Sequence, residues 1–350
     1  MCFSSRSVNY LKESVSMEGP PDTPSVDRVV ALLEESTPDA AIECLDAMLS
    51  HSVDERKEVL RSLRAVADDR PTLMSPLCPT LTSFLTDDER SIRLSTAKLC
   101  VAIASADPAA VESIVDALAE RLADDEEFYY VRARCAEALG YVGRDHPEAV
   151  SDPEILADFR IGLSFDEPEV KEKSAKALEY VALGDPDRLR HQVGSLAEHL
   201  DDENEFVRYH LTTALVAVGC EHPLKLHEAR DVLQDRLDDE NPYVRGRAAE
   251  ALGLLAQVDD DISVELDSIP LGEEDAAEFI ASRRAFLQTG QNGSPEETAT
   301  NGVGTLTSIR EGTETVVEAM RTPDGTECPH CGLSLPDGGP PMCPRCGTPY

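Results

Sequence analysis

The residues best suited to chemistry are the last four cysteines. Cys328, Cys331, Cys343 and Cys346 are spaced C-x2-C-x11-C-x2-C. Four thiolates in two knuckles complete a tetrahedral shell with no open position. Such a site holds a metal for structure and offers no place to substrate. Gly332 and Gly347 follow the two knuckles, where the chain must turn tightly to aim amides at the sulfurs. Paired knuckles at this spacing are a strong metal signal. One zinc ion is the expected cofactor, and so small a segment has no core without it. His330 and Met342 are not needed as ligands.

Little else in the chain offers catalytic chemistry. There is no glycine-rich phosphate loop, no plausible Ser/His/Asp set and no open three-ligand metal site. Cys44, Cys78, Cys100 and Cys135 are among six scattered cysteines, most in apolar helical stretches, and read as small core residues of a reducing compartment. A disulfide is a poor reading of the terminal cluster for the same reason. The expectation is a non-enzyme. Nucleic-acid binding is disfavoured too: the cysteine segment holds one full positive charge, Arg345, plus His330. It lacks the basic patch and exposed aromatics that such binding uses.

The elements that must carry these residues are repeats. A β-branched residue followed by a base recurs as Ile92-Arg93, Val131-Arg132, Val170-Lys171, Val207-Arg208 and Val244-Arg245, at spacings of 39, 39, 37 and 37 residues. Acidic residues, often with a proline, precede each anchor. Small or apolar residues follow at offsets +4, +5 and +8, for example Ala248, Ala249 and Leu252. At ~100° per residue these offsets fall on one arc of a helix. Each unit therefore holds a second helix with one buried stripe. A shorter apolar-periodic segment such as Ile114–Leu122 precedes it as the first helix. Pro108, Pro147, Pro186 and Pro223 stop four of the second helices. One helix pair cannot bury its own face, so the pairs must stack into a solenoid.

Two offsets carry charge. Offset +1 lies within the buried arc, so Arg93, Arg132, Lys171, Arg208 and Arg245 need acids. The turn aspartates of their own or the next unit are the expected partners, giving a ladder between repeats. Offset +3 lies at about 300°, on the outward side of the same helix. It reads Ser95, Arg134, Lys173, His210 and Arg247. In a chain of net charge −36 this outward stripe has two readings: an open basic docking surface with Arg134, Lys173, His210 and Arg247 as the partner-binding residues, or bases that neutralise the surrounding acids and keep the solenoid from repelling itself.

The repeat units resemble HEAT repeats of the short kind first described in phycobilin lyases. The series Pro242-Tyr-Val-Arg-Gly-Arg-Ala-Ala-Glu-Ala-Leu-Gly253 carries the likeness most clearly, and it extends over about 80–257. The terminal cysteines resemble the short zinc ribbons that end many archaeal and bacterial proteins. Their knuckles also resemble the iron-binding rubredoxin type, but only Tyr350 supplies a nearby aromatic, so zinc is favoured over iron. HEAT-like hydroxylases hold two irons on His-Glu pairs just after the anchor. Here those positions read Ala133-Arg134, Glu172-Lys173, Tyr209-His210 and Gly246-Arg247, so the ligands are missing. The resemblance implies a scaffold or adaptor, with signalling in taxis as one setting. The alternatives are a transcription-related factor acting through the ribbon and a lyase-like or hydroxylase-like enzyme.

The expected architecture is an all-α HEAT-like solenoid with a small zinc ribbon. Residues 1–25 form an N-terminal tail, 26–257 the solenoid, 258–327 a capping helix and linker, and 328–350 the ribbon. Residues 26–70 hold a divergent opening pair. Glu273–Gln288 is predicted to cap the far end, and 305–320 is a helix or a strand pair. Met17 is a candidate for the true start.

Asp and Glu total 68 against 32 Lys and Arg, of which only seven are Lys. That balance suits a cytoplasm rich in salt, where charges are screened within about 3 Å at ~1 M, and points to a halophilic archaeon. The expected partners are other proteins with acidic or phosphorylated surfaces. No run of 18 apolar residues is present, so no membrane span is expected and the location is cytoplasmic.

Overall fold

A computed structural model describes residues 25–265, 269–271, 274–292 and 302–321. Nearly all of the expected tail, the stretches 266–268, 272–273, 293–301 and 322–327, and the whole ribbon, with Cys328, Cys331, Cys343 and Cys346, lie outside those residues.

The described chain is helical throughout. It runs α1 (Val26–Glu34), α2 (Pro38–Ala47), α3 (Val53–Asp69), α4 (Cys78–Leu85), α5 (Arg90–Ala106), α6 (Pro108–Val111), α7 (Val115–Ala123) and α8 (Tyr129–Asp145). It continues α9 (Pro153–Gly162), α10 (Pro168–Gly184), α11 (Val193–Ala197), α12 (Glu205–Glu221), α13 (Arg230–Asp235), α14 (Pro242–Ala256), α15 (Glu274–Gln291) and α16 (Leu306–Met320).

Second helices α3, α5, α8, α10, α12 and α14 stack in chain order, and α15 closes the end against α14. The first five are each 17 residues long. The stop signals act where the sequence places them: Pro108, Pro147, Pro186 and Pro223 each follow a second helix and open the next short turn. Side-chain caps start the later helices. Asn204 accepts from the amide of Phe206, and Asn241 from those of Tyr243 and Val244.

The opening pair is more regular than its sequence suggests. Ser52 and Glu55 form a reciprocal capping box, and α3 has the full 17 residues. Arg56 is the fourth residue of α3, as Arg93, Arg132, Lys171, Arg208 and Arg245 are of theirs. Its predecessor is Glu55 instead of a β-branched residue, which hides the repeat from an anchor-based alignment.

One continuous apolar core runs from Val29 to Ile309. Close approach of α8 and α10 depends on Gly140, where an added Cβ would lie 2.8 Å from the Ala177 backbone. In α15, Ala276, Ile280, Phe286 and Leu287 are buried, as the capping role requires. The undecided 305–320 segment is a helix. It leaves the stacking order and lies back across α12 and α10.

Candidate binding face

The charge ladder forms at Arg93, Arg132, Lys171 and Arg208. Arg93 donates to Glu127 in the next turn, at 2.6 and 2.8 Å, and to the Asp87 carbonyl at 2.8 Å. Lys171 reaches Asp202 at 2.7 Å. Arg208 grips Asp239 with two parallel bonds of 2.8 and 2.9 Å, and also caps the Asp202 carbonyl at 2.7 Å. Arg56 pairs with Asp87, which extends the ladder into the opening unit. Arg245 donates to the carbonyls of Asp239 and Pro270. Arg132 reaches Asp125 of its own turn at 3.4 Å, and it also bonds the Leu122 carbonyl at 2.9 Å and stacks over the Phe165 ring.

The +3 stripe requires a correction. Arg134, Lys173, His210 and Arg247 do line up on α8, α10, α12 and α14, but they are not open. They are 4%, 3%, 1% and 1% exposed. Each is paired. Arg134 donates to Glu137 and, at 2.8 Å, to Glu169. Lys173 donates to Glu172 at 3.0 Å, His210 Nδ1 contacts Glu179, and Arg247 donates to Glu250 at 2.7 Å and to the Tyr209 hydroxyl at 3.3 Å. Lys176 adds a bond to Glu137 at 3.2 Å. The buried carboxylates were visible in sequence: Glu137 and Glu250 each follow a stripe residue by three positions, one turn of the same helix.

The second cause of burial is α16, which no single-helix angle could reveal. Glycine positions the strand of chain that leads into it. Gly304 has φ +79°, and a Cβ there would strike the Phe286 ring. Its amide donates to Glu250 at 2.8 Å and its carbonyl accepts from the Cys220 thiol. Thr305 then caps α16 by accepting from the Ser308 amide. Further along, the Thr313 hydroxyl donates to Glu179 and lies 3.4 Å from the Tyr209 hydroxyl. Glu314 accepts from Arg144 at 2.9 Å and from the Tyr180 hydroxyl at 3.1 Å. Arg310 pairs with Asp145, and Arg321 donates to Glu172 at 3.0 Å. Val316 and Val317 pack with Phe206, Tyr209 and Tyr243.

Electrostatics hold this face ionised. Burial pushes the Glu137 carboxyl up, yet Lys173, Lys176 and Arg134 keep it well below the usual carboxylate range. Glu250 is likewise raised by burial and brought down by Arg247, Arg283 and the Gly304 amide. Burial lifts the thiols of Cys78 and Cys220 to about 12, so neither is a nucleophile at neutral pH.

Three spaces open along the face. One, a groove of about 550 Å³, runs beside α16 and is lined by Val316, Tyr243 and Phe279, and one of about 180 Å³ lies beneath it beside His210 and Tyr180. The third, about 220 Å³, lies beyond the end of α16 and is lined by Arg64, Lys98, Lys176 and Arg321 with Asp68 and Glu137. Among the described residues, Asp187, Glu221 and His222 gather closely enough to share a metal ion, but Asp187 already accepts from Arg190 and contacts His222 in an exposed cluster.

Residues 193–266, from α11 to just past α14, match the family model described as HEAT repeats. Among solved structures, one engineered protein from a structural genomics consortium superimposes with a TM-score of 0.58 at 20% identity, covering 85% of this chain and 81% of its own. Two further engineered proteins of that consortium give TM-scores of 0.54 and 0.53, at 21% and 22% identity. They cover 66% and 61% of this chain, and 96% and 98% of their own. At these identities the likeness is one of fold. No curated protein matches the chain in sequence.

Proposed function

We propose that the chain is a non-catalytic scaffold that binds segments of other proteins on the inner face formed by its second helices. The observation that carries this reading is the seating of α16. A helix lies across the second helices of four repeats, α8, α10, α12 and α14, and the face supplies partners for its hydroxyl, its carboxylate and its valines. That is what a helix-binding surface has to do.

The open part of the face lies beyond α16, where five bases, Arg64, Lys98, Arg134, Lys176 and Arg321, line one cavity against two acids, Asp68 and Glu137. Such a patch in a chain of net charge −36 favours acidic or phosphorylated segments. The test is co-purification from a host extract with the wild type and with a Lys98→Glu/Arg64→Glu variant. Loss of the partner in the variant supports the reading, and unchanged partners contradict it. The buried stripe is unsuitable for such a test, because reversing Arg134 or Arg247 would leave buried carboxylates unpaired.

The four cysteines supply donors for one zinc ion and need no fifth ligand, so the ion has a structural role and the segment serves protein docking or capping. Metal analysis tests this: one zinc per chain is expected, and iron would overturn it. The acidic, lysine-poor composition fits a halophilic host and a cytoplasm high in salt.

A further inference from the structure

We propose that α16 is a displaceable stand-in for a partner helix, and that its contacts spell out the pattern that partner presents. The pattern is an aliphatic residue, a hydroxyl four positions on, a carboxylate next, and two β-branched aliphatics at positions seven and eight. In α16 these are Ile309, Thr313, Glu314, Val316 and Val317. This rests on the protein-binding reading above and names the chemistry of that partner.

Three observations carry it. First, α16 is not a member of the stack. The stack is already closed by α15, and the chain returns from there to lie over α12 and α10. Second, α16 is held by one narrow stripe. Four of its 15 residues are buried, namely Ile309, Thr313, Val316 and Val317, whereas α12 buries 14 of 17. These four fall at offsets 0, +4, +7 and +8, the spacing with which a bound amphipathic helix meets a groove. Third, the seam of α16 is open to solvent along both sides, where grooves of about 550 and 180 Å³ run beside it.

The floor beneath α16 is built independently of it. His210 contacts Glu179, Arg247 and Arg283 share Glu250, and Tyr209 receives a bond from Arg247, all within the solenoid and its closing helix. What α16 and its two ends add is one hydroxyl on Glu179, one carboxylate between Arg144 and Tyr180, three aliphatic side chains, the Gly304 amide on Glu250, and the pairs of Arg310 with Asp145 and Arg321 with Glu172. A partner helix with the same groups makes the same bonds. Its obstacle is the tether, which holds α16 at an effective concentration on the order of mM. Apparent affinity for a second helix therefore falls by the fraction of chains with the face free.

The experiment uses the full chain and a fluorescent peptide with the sequence of residues 302–321. An Ile309→Asp/Val317→Asp variant spoils the resident helix and leaves every residue of the floor intact. Fluorescence anisotropy is expected to show the variant binding the peptide at least tenfold more tightly than the wild type. A peptide with Thr313→Val and Glu314→Lys should bind the variant at least tenfold more weakly than the native sequence. Equal binding by wild type and variant overturns the proposal. Amide exchange of the wild type gives an independent reading: residues 306–320 should exchange at least tenfold faster than 206–219. Equal protection would make α16 a fixed part of the fold. A dimer with α16 exchanged between copies, seen by sedimentation, would make a second copy the occupant and overturn the partner claim. In either failure the Arg64/Lys98 co-purification still stands or falls alone, so the two readings are separable.

Discussion

Arg208 shows how this fold uses charge at the scale of one residue. Its guanidinium closes a two-bond fork on Asp239, whose side chain is 1% exposed, and it ties the next repeat to the turn before its own helix. Removing one member of a buried pair strands the other, at a cost of roughly 3–5 kcal/mol. Arg208→Ala should lower stability by about that much in urea unfolding. Arg208→Lys keeps the charge but not the fork, and should lose distinctly less. The buried carboxylates of the inner face give a second prediction. Glu137 and Glu250 bind protons more weakly folded than unfolded. Their contribution is thus complete above the unfolded value of about 4.3 and is lost as pH falls through the folded values. Melting followed by circular dichroism should show stability dropping steeply below about pH 4. The +1 bases were legible in sequence because the angle to the core is fixed within one helix. The +3 bases were half legible. Their register was plain, but their burial depends on Glu137, Glu179 and a helix more than 60 residues away from the last repeat anchor.

At the scale of elements, regular length and close approach do most of the positioning. Five second helices of 17 residues present their fourth residue at the same level, and the ladder follows from that register. The approach of α8 to α10 leaves no space at Gly140 for a side chain. Gly140→Val should push the helices apart and cost roughly 1–3 kcal/mol, as overpacking does; thermal unfolding would show it. The repeat anchors could be read from position 92 onward because each pairs a β-branched residue with a base. The opening unit escaped because Glu55 serves the capping box instead of the core. The segment 305–320 could not be assigned from its own pattern. Its threonines at 305, 307, 313 and 315 and its valines at 316 and 317 suit a strand as well as a helix, and the face beneath decides in favour of the helix.

Across the whole molecule the dominant facts are the stack and the charge. A chain of net charge −36 repels itself, and salt shortens the reach of that repulsion from about 10 Å at 0.1 M to about 3 Å at 1 M. The melting temperature should therefore rise as KCl goes from about 0.1 to about 1 M, and the fork at Arg208–Asp239, being buried, should not offset the gain. A flat or falling curve would remove the link between composition and salt. Among the described residues no helix is long and apolar enough to cross a membrane. The solenoid itself was legible from periodicity alone. That its inner face is already occupied was not, because periodicity describes how a helix meets its neighbours in the stack and is blind to a segment that lies across it.

The central claim is that partners bind the inner face. The seven lysines of the chain make one measurement unusually direct. Lys98 lines the open cavity of that face, whereas Lys225 sits in a short turn between second helices, in a surface pair with Glu228. Amine cross-linking of the purified complex, read by mass spectrometry, should join the partner to Lys98 and not to Lys225. Cross-links confined to Lys225 would place the partner elsewhere and contradict the account.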